Sequence, residues 1–278
     1  MTPSDSPTKI SPTSIVVADN DILILEVMGE LLRAKGFEVH LAHDGLEALQ
    51  VIRNVKPQFV ILDVVMPKLD GSRVCWMIRQ DPDLRDTPII AFSSLSAQDF
   101  RHFSDLSADA YVAKDAAPVA FENILQAIAH LQSKGRMDIT GGIFGFDKVQ
   151  PREIVAEMLI ERRHYASVLR SLGPGVLELD ANSHIVMANS GACEIFGRNE
   201  SQLVGAPIAS MFLPRDQKVL KELLGELMKA VQPEQCTAVL RFGSMDVPVR
   251  MCSIIEDAKC TGVLLILESK GVKILSQA

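Results

Sequence analysis

The chain has 278 residues, of which 47% are hydrophobic and 23% charged, and its formal net charge is −7 at pH 7. This composition excludes disorder throughout, and at about 100–200 residues per domain the length predicts two domains. We expect a cytoplasmic protein that binds no nucleic acid and does not insert into a membrane, because the sequence lacks a basic half, a secretory signal and any apolar run near the roughly 20 residues of a membrane span.

The N-terminal half predicts a sheet with alternating helices. Residues 1–13 are rich in Ser, Thr and Pro and are predicted to form a disordered tail. Over residues 14–134, short apolar runs alternate with stretches whose apolar residues recur at helical spacing. Strands that alternate with helices predict an α/β fold with a doubly wound, five-stranded parallel sheet. The runs predicted as strands are Ile15–Ala18, Val39–Ala42, Phe59–Leu62, Ile89–Phe92 and Ala110–Ala113.

Polar side chains stand where four of these strands end. Asp19 and Asn20 follow the first strand, Asp63 the third, Ser93 the fourth, and Lys114 the fifth. Because ligands of such sheets bind beyond the carboxyl ends of the strands, we expect these side chains to meet at one edge. Oxygen ligands with an open side suit Mg²⁺. Asp63 would then act as a nucleophile, with the metal and Lys114 neutralising an incoming phosphoryl group.

Residues 15–132 resemble the receiver domain of bacterial response regulators in four segments, which read IVVADND, VILDVVMPKLDG, PIIAFSS and ADAYVAK. The resemblance implies that Asp63 is the phosphoacceptor, which takes a phosphoryl group from a histidine kinase or a phosphotransfer protein. The other implied roles are those of Mg²⁺ ligands (Asp19, Asn20, Asp63 and the Val65 carbonyl), phosphate-binding residues (Ser93 and Lys114) and a switch pair (Ser93 and Tyr111).

Two residues depart from the receiver pattern. Asn20 stands where receivers usually carry a second acid, so we expect Mg²⁺ to bind more weakly. Asp115 stands where a Pro usually follows the Lys, so the loop is expected to be less constrained and Asp115 to be able to draw Lys114 away. Phosphatases of the haloacid dehalogenase type need a second Asp at the position of Val65. We therefore expect no enzyme and no catalytic residue beyond Asp63.

A linker and a helix follow the receiver-like region. Residues 135–150 are rich in Gly and lack a helical period, so they are predicted to form a linker. A helix is predicted over Pro151–Leu172, since Pro stands at its start and Gly173 just beyond its end. Its apolar residues recur at the alternating spacing of a two-stranded coiled coil: Val155, Met158, Tyr165, Leu169 and Leu172. An ordinary amphipathic helix that packs on its own domain remains the alternative.

The last region predicts an α+β domain. Two strands, several helices and three more strands are predicted over residues 173–269, followed by a tail at residues 270–278. The segments GVLELDANSHIVMANSGACEIFG and SQLVGAPIASMFLP resemble a PAS domain, a family whose members bind ligands, dimerise or do both. Flavin is not expected because the sequence around Cys193 differs from the flavin motif, and haem is not expected because the predicted helix Asp216–Val231 lacks His. Any PAS ligand stays unknown, and the residues expected to fill the core, or to line a small apolar pocket, are Ile195, Phe196, Met211 and Phe212.

The sequence therefore predicts a response regulator with a receiver, a joining helix and a PAS domain. Phosphorylation of Asp63 would shift the receiver between two states. A surface that includes the predicted helix Ala97–Leu106 would change, and the change would pass through the Pro151–Leu172 helix to an unknown protein partner or to a homodimer formed by that helix and the PAS domain. One alternative is a phosphorylation-independent pseudo-receiver scaffold, in which the PAS domain senses or dimerises. A transcription factor would need a basic face that the sequence does not show.

Overall fold

The structure is a computed structural model, and it describes residues 12–94, 107–134, 143–145, 164–165 and 167–268. The chain divides into two compact units, Met1–Ala156 and Glu157–Ala278, called unit 1 and unit 2 below. Most of the predicted N-terminal tail, the predicted C-terminal tail, the predicted helix Ala97–Leu106 and most of the predicted linker and joining helix lie outside the described residues. No helix in the described ranges is both long enough and apolar enough to cross a membrane.

Unit 1 contains a parallel sheet with helices on both faces. Its strands are β1 (Ser14–Ala18), β2 (Glu38–Ala42), β3 (Phe59–Leu62), β4 (Ile89–Ser93), β5 (Ala110–Ala113) and β6 (Ile143–Phe144). Its helices are α1 (Ile22–Ala34), α2 (Gly45–Val55), α3 (Gly71–Gln80) and α4 (Ala117–Lys134). The strand order is β2-β1-β3-β4-β5-β6, and every neighbouring pair is parallel. The predicted doubly wound sheet of five parallel strands is thus confirmed.

One strand was not predicted. β6 lies within residues 135–150, which were predicted as a linker, and it pairs with β5 through Tyr111↔Ile143 and Val112↔Phe144. A two-residue strand leaves no periodic pattern, but it does pair part of the open edge of β5. Two residues of the predicted linker thus form a strand that the sequence did not predict.

Aspartates start three helices of unit 1. The side chain of Asp21 accepts hydrogen bonds from the Leu23 and Ile24 N–H groups and so begins α1. Asp44 and Asp70 cap α2 and α3 in the same way. These caps satisfy N–H groups that have no partner inside the helix. Because each helix follows a strand along the chain, α3 after the loop 63–70, its first turn lies at the carboxyl edge of the sheet.

Buried apolar side chains join the sheet to its helices. On one face, strand residues such as Val17 and Ile61 pack against Leu25 of α1 and Ile124 of α4, and all four are at most 1% exposed. Burying side chains of this size contributes about 1.5–3 kcal/mol each. This packing fixes the sheet edge on which the polar side chains stand.

Unit 2 is built on an antiparallel sheet. Its strands are β7 (Gly175–Asp180), β8 (Ile185–Ala188), β9 (Gln235–Phe242), β10 (Met245–Glu256) and β11 (Lys259–Leu267). Between β8 and β9 lie α5 (Ser190–Phe196), α6 (Glu200–Leu203), a short 3₁₀ helix (Ile208–Met211) and α7 (Pro214–Leu227). The strand order is β8-β7-β11-β10-β9 with antiparallel pairs throughout. The predicted α+β arrangement is confirmed.

Three aromatic rings fill the interior of unit 2. The Phe196 ring lies edge-on to the rings of Phe212 and Phe242, with centroid distances of 6.0 Å and 5.0 Å. Phe196, Met211 and Phe212 are buried and Ile195 is half-buried, so three of these four residues belong to the core. Edge-to-face pairs of this kind favour a fixed arrangement of the rings.

The long helix of unit 2 differs in its bounds from the prediction. It was predicted as Asp216–Val231, whereas α7 runs from Pro214 to Leu227. Pro is favourable in a first helical turn because its missing N–H would have had no partner there. At the other end, the Lys229 N–H donates to the Glu226 carbonyl and the Ala230 N–H to the Leu227 carbonyl, so 3₁₀-type bonds close the helix.

Candidate functional site

Two buried carboxylates share one ammonium group at the carboxyl edge of the sheet in unit 1. Asp19 and Asp63 directly follow the neighbouring strands β1 and β3 and are 0% and 4% exposed. Lys114 follows β5, and its Nζ lies 2.7 Å from Asp19 Oδ2 and 2.8 Å from Asp63 Oδ2. The same Nζ lies 5.6 Å from the centre of the Phe92 ring. The structure therefore brings the three predicted residues together.

Burial changes the acidity of Asp63. Removal from water raises the pKa of Asp63 to about 6, the Lys114 ammonium acts in the opposite direction, and the nearby Asp19 adds to the rise. Two carboxylates against one ammonium leave an excess of negative charge at a site that water hardly reaches. Such a site favours the approach of a cation and disfavours an unaccompanied anion.

The loop after β3 holds Asp63 closely against α3. The Val65 N–H lies 3.3 Å from Asp63 Oδ1, and the Gly71 N–H donates to the Val64 carbonyl at 3.0 Å. A Cβ atom on Gly71 would lie 2.2 Å from the Asp63 carbonyl oxygen, so only glycine fits at this position. Gly71 ends the VILDVVMPKLDG segment, but no role was predicted for it, although a glycine can mark a close approach of main-chain atoms.

The carboxylates could accept a divalent cation. Asp19 Oδ2 is buried and accepts no hydrogen bond from the described residues, apart from its ion pair with Lys114. No three His, Cys, Asp or Glu side chains of the described residues form a metal-binding group. A hard cation would therefore take Asp19, Asp63, the amide oxygen of exposed Asn20, the Val65 carbonyl and water. This donor set contains only oxygen and fits Mg²⁺.

Asp115 does not compete for Lys114. Its Oδ1 accepts a hydrogen bond from the Ala116 N–H at 2.7 Å, while Lys114 pairs with Asp19 and Asp63. The possibility that Asp115 draws Lys114 away is thus not realised in this structure. The Asp115 carboxylate bonds to the main chain of the next residue, just before α4, rather than to the side chain of Lys114.

Ser93 and Tyr111 lie on adjacent buried strands. Ser93 ends β4 and is fully buried, and its carbonyl accepts a hydrogen bond from the Lys114 N–H at 2.8 Å. Tyr111 lies on β5, where it is 4% exposed, and burial raises its pKa to about 12. The ring thus occupies an inward position. Of the predicted switch pair, Ser93 thus lies beside the end of β5 and Tyr111 two residues before that end.

A second buried ion pair was not predicted. Arg79 on α3 lies 2.7 Å from the Asp109 carboxylate, which also accepts a hydrogen bond from the Ile89 N–H at 2.7 Å. The Arg79 guanidinium donates to the carbonyls of Arg85, Thr87 and Ser107 as well. This network fixes the starts of β4 and β5, whose opposite ends carry Ser93 and Lys114.

Comparison with known proteins gives two family matches. The family model for the response regulator receiver domain matches residues 15–129, and the model for the PAS fold matches residues 163–268. Response regulator MprA of Mycobacterium sp. (strain KMS) is 39% identical over 115 residues, which are 41% of this chain and 48% of that protein. MprA of Mycobacterium ulcerans (strain Agy99) is 35% identical over 125 residues, which are 45% of this chain and 52% of that protein. The chain thus spans about half the length of these curated relatives.

Solved structures of receivers are similar as well. The phosphorylated cyanobacterial phytochrome response regulator RcpA is 25% identical, with a TM-score of 0.39 and coverage of 45% of this chain and 97% of that chain. The chemotaxis response regulator CheY4 of Vibrio cholerae is 24% identical, with a TM-score of 0.40 and coverage of 42% of this chain and 98% of that chain.

Proposed function

The chain contains a response regulator receiver domain followed by a PAS domain, and we propose that it acts as a response regulator in a phosphorelay. Asp63 would accept a phosphoryl group from a histidine kinase or a phosphotransfer protein. The observation that carries this proposal is the strand-end carboxylate of Asp63, held 2.8 Å from the Lys114 ammonium. We also propose that the protein works in the cytoplasm and is not an enzyme beyond its own phosphorylation.

The proposed reaction moves one phosphoryl group between two side chains. An Asp63 carboxylate oxygen attacks the phosphorus of a phosphohistidine, a P–O bond forms, and the P–N bond breaks as the imidazole takes up a proton. Lys114 pairs with Asp63 before transfer and would pair with phosphoryl oxygens afterwards. Mg²⁺, if held by Asp19, Asn20, Asp63 and the Val65 carbonyl, would supply further positive charge against the phosphoryl oxygens.

Apolar side chains around the site support a protein as the phosphodonor. Ile22 and Leu23 begin α1, three to four residues after Asp19, and are 60% and 68% exposed. Val119, in the first turn of α4 after Lys114, is 48% exposed. Exposed apolar groups of this kind at the edge of a polar site favour docking of a partner surface. A helical surface that carries a phosphohistidine fits this description.

The proposed output is a change in self-association or in binding of a protein partner. Residues 164–165 and 167–171 are helical, and they end the segment that was predicted to form a coiled coil. Tyr165 and Leu172 of the predicted seam are 60% and 44% exposed, and Val168, at helical spacing from both, is 45% exposed. This exposed apolar row supports a homodimer through the predicted helix Pro151–Leu172 and the PAS domain.

The first test is phosphorylation of the purified protein by acetyl phosphate and Mg²⁺, read by gel mobility. A shifted band that Asp63→Ala abolishes is the expected result. No shift at saturating Mg²⁺ would overturn the proposal and favour the alternative, a pseudo-receiver scaffold. The observation that favours this alternative is Asn20, which stands where receivers usually carry an acid. If the band shifts, size-exclusion chromatography of the phosphorylated protein measures whether its self-association changes.

A matched pair of donors separates docking from chemistry. Leu23→Asp should slow transfer from a histidine kinase at least tenfold, since it places a charge in the apolar rim, and should leave acetyl phosphate transfer within about twofold. Trp76→Asp is the control, because Trp76 is 41% exposed but lies on α3 rather than in the first turn of α1 or α4. Equal loss with both donors would mean that Leu23 acts on the site itself.

A further inference from the structure

Asn189 joins three parts of unit 2 through one buried side chain. It lies between β8 and α5 and is 0% exposed. Its Oδ1 accepts hydrogen bonds from the Val176 N–H at 2.7 Å and from the Ala192 N–H at 2.9 Å. Its Nδ2 lies 3.2 Å from the carbonyl oxygens of Leu169 and Leu172 and 2.9 Å from that of Pro174.

Leu169 lies in the last turn of the helix that enters unit 2, Leu172 follows the helix directly, and Pro174 lies in the connection to β7. The last carbonyls of a helix have no partner within it and are usually satisfied by water or by a local cap. Here an amide from the domain core provides the donors. The same amide accepts from the first strand of the sheet and from the first turn of α5. The helix end, β7 and α5 are thus held by one residue.

Close packing at the same place supports this arrangement. A Cβ atom on Gly191, in the first turn of α5, would lie 2.7 Å from the Gly173 carbonyl oxygen and 2.9 Å from that of Pro174. The connection between the helix and β7 is therefore in direct contact with α5. On the surface, Arg170 Nη2 lies 3.4 Å from Glu200 Oε2 of α6.

We propose that Asn189 is a positioning residue that fixes the direction in which the preceding helix leaves the PAS domain. Movement of β7 or α5 would then move the helix end, and a displacement of the helix would reach α5 through the same hydrogen bonds. We call Asn189, the end of the preceding helix, β7 and the first turn of α5 the joint. The joint follows from the contacts within unit 2. Its use as a relay between receiver and PAS domain rests on the proposed function.

An isosteric substitution separates the two sides of the joint. Asn189→Asp keeps an oxygen that can accept from the Val176 and Ala192 N–H groups, so the start of α5 stays capped. It replaces the amide N–H donors with a carboxylate oxygen that faces three carbonyl oxygens. The substitution therefore removes only the Nδ2 contacts to the carbonyls of Leu169, Leu172 and Pro174. Asn189→Ser is a second, uncharged variant that also caps a helix but lacks the amide donors.

Asn199 offers a matched control. It also begins a helix, α6, where its Oδ1 accepts from the Gln202 N–H at 3.0 Å and from Ser201 Oγ at 2.8 Å. No hydrogen bond of its Nδ2 is found among the described residues. Asn199→Asp therefore makes the same chemical change without removing a contact to the helix end.

The test is hydrogen–deuterium exchange of the full-length protein without a phosphodonor, followed by mass spectrometry. In Asn189→Asp, amides of residues 167–172 should exchange about tenfold faster, while α5 and β10 change less than about twofold. Asn199→Asp should leave residues 167–172 unchanged. Unchanged exchange at residues 167–172 in Asn189→Asp would overturn the joint. So would an equal increase throughout unit 2 in both Asn189→Asp and Asn189→Ser.

A second arm tests the relay. After acetyl phosphate and Mg²⁺, exchange of α5 should change in the wild-type protein and should not change in Asn189→Asp, although Asp63 is phosphorylated in both. An α5 response that survives in Asn189→Asp would overturn the relay through Asn189. Failure of phosphorylation itself would overturn the proposed function but leave the exchange result on the joint intact.

Discussion

Replacing Asp63 with Asn should stabilise unit 1, and the gain should depend on pH. The carboxyl group is 4% exposed, and its pKa is raised from 3.8 to about 6, mainly by burial. A raised pKa means that the native state holds the proton more tightly than the unfolded state does. The free energy of unfolding therefore falls as the pH rises from about 4 to about 6.

The size of the effect follows from the pKa difference. One pKa unit corresponds to about 1.36 kcal/mol, so the charged Asp63 costs the native state about 3 kcal/mol above pH 7. At pH 4.5 the same relation gives a cost of about 1 kcal/mol. The amide introduced by Asp63→Asn would carry no charge at any pH, and Lys114 would keep its ion pair with Asp19 at 2.7 Å. We therefore expect the variant to exceed the wild-type stability by these amounts.

The assay can follow unit 1 alone. Trp76 is the one tryptophan of the chain and lies on α3, so its emission reports the unfolding of unit 1. Urea unfolding at pH 4.5 and pH 8, with EDTA to remove divalent cations, gives the two free energies. Glu122→Gln serves as the control, because it removes one carboxylate from an exposed position on α4.

Three results would refute this reasoning. A gain that is equal at both pH values would show that the charge of Asp63 is not its source. A less stable Asp63→Asn protein would show that the ion pair with Lys114 outweighs the cost of burial. A comparable gain in Glu122→Gln would assign the effect to the net charge of the chain rather than to the site.

The remaining predictions concern the metal, the second ion pair and a buried thiol. Asn20→Asp adds a charged oxygen ligand, so half-maximal phosphorylation by acetyl phosphate should need about tenfold less Mg²⁺ in a titration, and an unchanged requirement would show that Asn20 does not limit binding. Asp109→Asn removes the carboxylate that pairs with Arg79, whose side chain is only 13% exposed. The free energy of unfolding, measured by tryptophan emission, should therefore fall by about 3 kcal/mol, and a loss below about 1 kcal/mol contradicts this. Burial raises the pKa of Cys75 to about 12, so iodoacetamide at pH 8 should modify half-buried Cys252 and spare Cys75, as peptide mass mapping would show; equal modification would place Cys75 in contact with solvent.

Apolar pattern was sufficient to predict the sheet of unit 1 and its site. Strands buried on both faces consist almost wholly of apolar residues, so the point where each run stops is visible in the sequence. Asp19, Asp63 and Lys114 stand at three such points, and parallel strands bring their carboxyl ends to one edge. The two-residue strand β6 has no such pattern and was missed.

Polar networks could not be predicted in this way. Arg79 donates to three main-chain carbonyls, and Asn189 makes all its side-chain hydrogen bonds to main-chain atoms. Main-chain atoms carry no residue-specific signal, and most of these partners lie six or more residues away along the chain. Before folding, both residues are indistinguishable from polar residues on the surface.

The position of Asn20 bears on the choice between a phosphorylated switch and a scaffold. Asn20 is exposed, whereas Asp63, the proposed phosphoacceptor, is buried and its partner Lys114 is nearly so. An Asn where receivers usually carry an acid therefore leaves less charge on the solvent side of the proposed metal site, while the Asp63–Lys114 pair is intact. Its effect should fall on the affinity for Mg²⁺ rather than on the nucleophile, and a higher Mg²⁺ concentration should compensate for it. A scaffold that had lost the reaction would have no need to keep a buried acid whose charge costs stability, together with the lysine that pairs with it.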